Sequence, residues 1–229
     1  MLTGQGYTNQ SYARDLREVR ERLLLMSGRV ERIIRQSIQS LVNRDVEQAR
    51  STIQQDHAIN QDEIDIDALC LAFLACRQPM ASDLRFVTFT MKMVTDLERI
   101  ADQAVNICER VIQLGSDGHL VPYSALEQMG ELVTQMVRDS IDAFVDQNGE
   151  IARDVIERDD EVDEIFHATF RGLLDHMRDD PSVIHRCIHI QSVAKFLERM
   201  GDHSTNLAEQ AIFMIKGTDV RHEGKLDHP

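Results

Sequence analysis

Oxygen-bearing side chains recur at four-residue spacing in four places along this 229-residue sequence. Glu98 and Asp102 lie in "DLERIADQAVNICE" (96–109), and Glu198 and Asp202 lie in "FLERMGDHSTNLAE" (196–209), a near copy that starts one hundred residues later. Asp56 with Asn60 and Asp159 with Asp163 form two further pairs. Residues four apart share one face of a helix, so each pair projects two such groups from the same side. All-oxygen sets suit hard cations such as Mg²⁺, Mn²⁺ or Ca²⁺, and carboxylate clusters also accept iron. The candidate cofactors are therefore divalent or iron ions (Mg, Mn, Fe or Zn), with the identity open. The competing reading is plainer: the stripes are solvated faces of an acidic protein, neutralised by Arg99 and Arg199.

Other chemistry is thinly represented. The chain has no Walker loop, GxGxxG or GxSxG, so neither a nucleotide cradle nor a nucleophile elbow is present. A ferritin-like di-metal enzyme needs Glu-x-x-His from two helices, and only Glu164 to His167 fits, with no second copy. No enzyme is expected. His167, four residues after Asp163, is either a nitrogen ligand to that patch or a surface histidine. The net charge of −14 disfavours nonspecific binding to nucleic acid or anionic lipid, both of which need a basic face. The four cysteines show no CxxC pairing and read as reduced, buried small hydrophobes. The N-terminus lacks the order of a secretory signal, and the longest strongly apolar run, "ALCLAFLAC" (68–76), is too short to span a bilayer. A soluble, cytoplasmic protein without direct membrane insertion is expected.

The elements that must hold the acids are helices. With 4 Pro, 11 Gly and no Trp, breakers are few and the periodic stretches long. Helices are predicted at about 9–42, 46–77, 83–114, 123–146, 150–178 and 182–215. Pro79 stops the second, and Ser82 is the expected cap of the third. "GSDGHLVP" (115–122) is the most loop-like internal stretch, and the tail "KGTDVRHEGKLDHP" is expected to fray. "VNRDVEQAR" (42–50) matches "VDQNGEIAR" (145–153) at an offset of 103, so the chain reads as an internal duplication. The fold class is all-α: two tandem antiparallel three-helix bundles. The first spans 1–116 and the second 117–217, followed by a tail at 218–229.

Helical phase and hairpin register then place the acids. At about 100° per residue, Glu98, Asp102, Asn106 and Glu109 form one stripe bordering the apolar arc, and Asp56, Asn60, Glu63 and Asp67 form another on the preceding helix. In an antiparallel hairpin, facing residues lie equally far from the turn. The pairs Asp56/Asp102 and Asn60/Glu98 both centre the turn on residue 79, at the proline. Asp159/Asp202 and Asp163/Glu198 both centre the second turn between Asp180 and Pro181. Each bundle should thus carry a patch where side chains from two helices converge. The second should hold fewer acids, because Phe166 and Phe170 replace Glu63 and Asp67 at the offset of 103.

"DLERIAD" and "FLERMGDH", with "RQPMASDLR" ahead of the first, resemble the PhoU family of phosphate-uptake regulators. The resemblance covers nearly the whole chain, including "ARSTIQQDHAINQDEIDID" and the "IKGTDVRH" exit. It implies a cytoplasmic, commonly dimeric helical protein that represses the phosphate-starvation response. The implied partners are the ATPase subunit of the phosphate ABC transporter and the sensor histidine kinase of the response. It also implies metal at E(D)xxxD motifs, here Glu98 with Asp102 and Glu198 with Asp202, faced by Asp56, Asn60, Asp159 and Asp163. Two departures stand out: Ala101 where the motif usually has glycine, as at Gly201, and Asn60 in place of an acid. Asp83 and Arg85, in "PMASDLR", either meet a partner or serve the helix start.

Overall fold

The protein is seen here as a computed structural model, in which residues 4–115 and 123–217 are described. Helix α1 runs Gly4–Asn43, α2 Val46–Arg77, α3 Ala81–Leu114, α4 Ser124–Val145, α5 Gly149–Asp179 and α6 Ile184–Lys216, with a 3-10 turn at Pro181–Val183. No strand occurs among the described residues. Most of the 115–122 loop, the boundary expected between 116 and 117, and the 218–229 tail lie outside them.

The two halves start their second helices with the same device. Arg44 (φ 57) and Gln147 (φ 56) turn the chain through the left-handed region. Asp45 then accepts a hydrogen bond from the Gln48 N–H at 2.8 Å. Asn148, at the same place in the second half, accepts from the Glu150 and Ile151 N–H groups at 3.0 and 3.4 Å. Each side chain satisfies donors that a helix N-terminus leaves unpaired. Asp45→Ala and Asn148→Ala should each lower the unfolding free energy by about 1 kcal/mol, read as a shift in urea midpoint at unchanged slope.

The second turn differs from expectation in one detail. α2 ends at Arg77, and Gln78 adopts a left-handed cap ahead of Pro79. α3 begins two residues later at Ala81, with Met80 in the cap position and no side-chain cap bond. Ser82 therefore lies inside the helix and does not cap it.

The bundles share one continuous hydrophobic core. α1 packs on α2, α3 and α4, while α3 packs along α6. At the α1–α4 crossing the helices come close enough that a Cβ on Gly130 would sit 2.8 Å from Ile38 Cγ1. Beside it, buried Glu31 receives Arg35 at 3.0 Å and Arg138 of α4 at 2.5 Å. α1 has 40 residues against 22 in its counterpart α4. Its extra N-terminal turns clamp the α2–α3 tip, where Asp15 binds Arg77 at 2.7 Å and the Tyr12 hydroxyl donates to Asp83 at 2.6 Å. Asp83 is thus engaged within the chain, and Arg85 likewise donates to the Met214 carbonyl at 3.3 Å.

All four cysteines are free thiols. Cys70, Cys108 and Cys187 are buried as expected, but Cys76 is exposed, because it falls on the outward side of the last turn of α2. Burial pushes the Cys70 and Cys108 thiols up to about 12, which keeps them protonated and unreactive.

Candidate functional site

Each helical hairpin, α2–α3 and α5–α6, gathers acids on its outer face. In the first, Thr95 of α3 donates to Glu63 of α2 at 3.2 Å, a pair that also centres the turn on residue 79. Asn60 donates to Asp56 at 2.9 Å. Its amide thus takes a place where a second acid would repel Asp56. Burial raises the Asp56 carboxyl above its ordinary range, and Asp102 across the hairpin adds to this. Glu98 is raised first by burial, then by the charges of Asp102 and Glu63. Arg99 lies 3.6 Å from Glu98 and 3.8 Å from Asp102, so it offsets part of the repulsion from the exposed side. Asp56, Asn60, Glu98 and Asp102 therefore share one patch, with Glu63 at its edge.

The second patch is tighter on one side. Asp159 sits over Gly201, where a Cβ would lie 3.0 Å from Asp159 Oδ1 and 3.4 Å from Val162 Cγ1. Burial, then Asp202 and Asp163, pushes its carboxyl up to about 6. Partial burial and Glu198 raise Asp202 in the same direction. Glu198 is paired by Lys195 Nζ at 2.6 Å, one turn earlier on α6. The cation paired with this patch is thus Lys195 of α6, in place of the expected Arg199. Thr95 and Lys195 occupy equivalent places one hundred residues apart and each binds a patch acid. Their alignment was available in the sequence, but hairpin register alone does not say which neighbour fills the gap.

The donors suit a hard cation in kind. Asp56 Oδ1, Asn60 Oδ1 and Glu198 Oε2 are buried with no hydrogen-bond partner, and buried oxygens without partners are costly. Among the described residues, however, no three His, Cys, Asp or Glu side chains are gathered closely enough to enclose an ion. Glu164 and His167 are both exposed on α5, so neither the ferritin-like pair nor a nitrogen ligand at this patch takes shape.

One polar cluster was not anticipated. Where α3 runs along α6, Asp96 accepts from Gln210 at 2.8 Å and lies 3.0 Å from His203 Nδ1. It binds the two halves across the seam, with Phe89 and Phe213 at 5.2 Å beside it.

The two hairpins in tandem agree with the domain organisation of known proteins. The family model described as the PhoU domain matches residues 23–111 and 126–211, one copy per half. The chain belongs to the PhoU family. The phosphate-specific transport system accessory protein PhoU homolog of Pseudomonas putida is 38% identical over 95% of this chain and 86% of its own length. The Aquifex aeolicus PhoU homolog is 39% identical over 92% and 95%. The crystal structure of PhoU from Pseudomonas aeruginosa superposes with a TM-score of 0.86 at 37% identity, covering 90% of this chain and all of that one. The phosphate transport system regulatory protein PhoU from Streptococcus pneumoniae gives 0.85 at 29% identity, covering 91% and 99%. At the position where the second hairpin has Gly201, the first has Ala101, which is fully buried.

Proposed function

We propose that this chain is a noncatalytic, cytoplasmic negative regulator of phosphate uptake and of the phosphate-starvation response. It would couple the ATPase subunit of the phosphate ABC importer to the sensor histidine kinase, acting as a homodimer. The observation that carries the reading is the match over 95% of the chain to a phosphate-specific transport system accessory protein, across both repeats. No described helix is long and apolar enough to cross a membrane, so the link to the importer would run through contacts with its subunits. Deleting the gene in its own cell and measuring phosphate-regulated transcripts in high phosphate tests this. Derepression is the expected outcome, and normal repression contradicts the proposal.

The acidic patches are proposed as cation sites that bias the shape or contacts of this regulator. Asp56, Glu98 and Asp102, with Asn60, would hold one ion; Asp159, Asp163, Glu198 and Asp202 would hold the other. An ion there would neutralise carboxylates that now repel one another and would satisfy the orphaned oxygens. Protein purified without chelators should carry divalent or iron ions by elemental analysis. Changing Glu98 and Asp102 together to Ala should remove those of the first hairpin. An unchanged metal content would sink this assignment.

A further inference from the structure

Near the start of α6, His185 and His189 stand four residues apart on one face of the helix. Their rings meet edge to face, with centroids 4.5 Å apart and an interplanar angle of 73°. The two Nε2 atoms lie 3.4 Å apart. That is long for a hydrogen bond, whose nitrogen distances centre near 3.0 Å. It is close to the nitrogen separation of about 3.3 Å that two imidazoles have when bound about 2.05 Å from one tetrahedral zinc, a state the rings, now 4.5 Å apart at their centroids, would reach by swinging outward. The helix fixes both backbones at this spacing. His189 is only 8% exposed, so its ring is held in place by packing, while His185 opens the pair to solvent.

The surroundings define what could bind. Burial, followed by the nearby His185 and the Arg110 guanidinium of α3, holds His189 below its ordinary value. Cys187, between the two histidines, is buried in the core and faces away from the pair. No third His, Cys, Asp or Glu among the described residues joins them, so water must complete any coordination. Imidazole nitrogens favour borderline transition ions over Mg²⁺ or Ca²⁺. Two features hold the affinity down: the positive charge of Arg110, and a His189 Nδ1 that is buried without the acceptor that usually orients a metal-bound histidine.

We propose that His185 and His189 form a two-nitrogen chelate for a borderline divalent transition ion such as zinc, separate from the acidic patches. The test is titration of the full chain with zinc, followed by long-range proton–nitrogen spectra of the imidazole rings and by the affinity of the first binding step. The Nε2 signals of His185 and His189 should move together. His185→Asn should weaken that step at least about tenfold, while His176→Asn, on the exposed end of α5, should leave it within about twofold. His185 is itself exposed, so the substitution does not threaten folding. Zinc that moves only side-chain carboxylate signals, or binds His185→Asn as well as the unaltered chain, overturns the proposal.

Discussion

Replacing Phe144 by alanine should lower the unfolding free energy by about 3–5 kcal/mol, a large share of the stability of a domain this size. Phe144 lies on α4 and is fully buried. Its ring stacks on Phe86 of α3, with centroids 5.1 Å apart and planes 15° from parallel. Phe86 in turn carries Arg20 of α1 over its face at 5.5 Å. Three helices from both halves therefore meet at one aromatic pair. Truncation removes the ring's buried area and leaves a hole that the surrounding helices, anchored along their lengths, cannot close. Phe170→Ala is the comparison: that ring is 42% exposed on α5, and its loss should cost less than about 1 kcal/mol. Urea unfolding followed by circular dichroism separates the two. The Phe144 variant should also split into two transitions, because weakening the seam lets each half unfold on its own. Equal midpoints for the two variants would show that the halves do not depend on this junction.

What the sequence made legible follows from how the chain constrains itself. α2 lies at Val46–Arg77, where its flanking breakers put it, and the acid pairs converge because a hairpin's register is set by a single turn. Asp56 and Asp102 needed only that Pro79 mark the bend. The seams between halves had no such ruler. α3 and α6 are joined through two intervening helices, so neither the Asp96–His203 contact nor the Glu31–Arg138 pair could be placed by counting residues. Side-chain choice at close range was equally hidden. Lys195 is the one that reaches Glu198, although in the first patch the adjacent Arg99 lies 3.6 Å from Glu98, so spacing along the helix does not by itself decide which cation pairs with the patch acid. The Ser82 cap failed for a local reason: α3 already starts at Ala81, ahead of the residue best suited to cap it.

Asp159 should make the protein less stable as pH rises from about 4 to about 7, and Asp159→Asn should flatten that slope to the part left by Asp56, Glu98 and Asp202, whose carboxyls are raised as well. In the folded chain its carboxyl is raised to about 6 from an ordinary 3.8. Between those values the folded state holds a proton that the unfolded chain has released, so the folded state binds more protons and stability falls as pH rises. Above about 7 both states are ionised at this residue, and the full cost of a charge placed against Gly201 and beside Asp202 and Asp163 is present. A shift of two units corresponds to roughly 2–3 kcal/mol, and partial access to solvent trims it to about 2 kcal/mol. Asp159→Asn, of nearly equal size, should therefore gain about 2 kcal/mol at pH 7.5 and nothing at pH 3.5. Thermal or urea unfolding in chelator across that range measures it, and a wild-type curve flat from pH 4 to 7 would contradict it. The same variant bears on the cation. An ion over Asp159 replaces the missing proton with a positive charge, so divalent ions at pH 7.5 should stabilise the unaltered chain and flatten its pH profile. The asparagine variant keeps the repulsion among Asp163, Glu198 and Asp202 but loses its most strongly raised carboxylate and one ligand, so its response to the ion should be weaker. Equal stabilisation of both would place the cation elsewhere in the molecule.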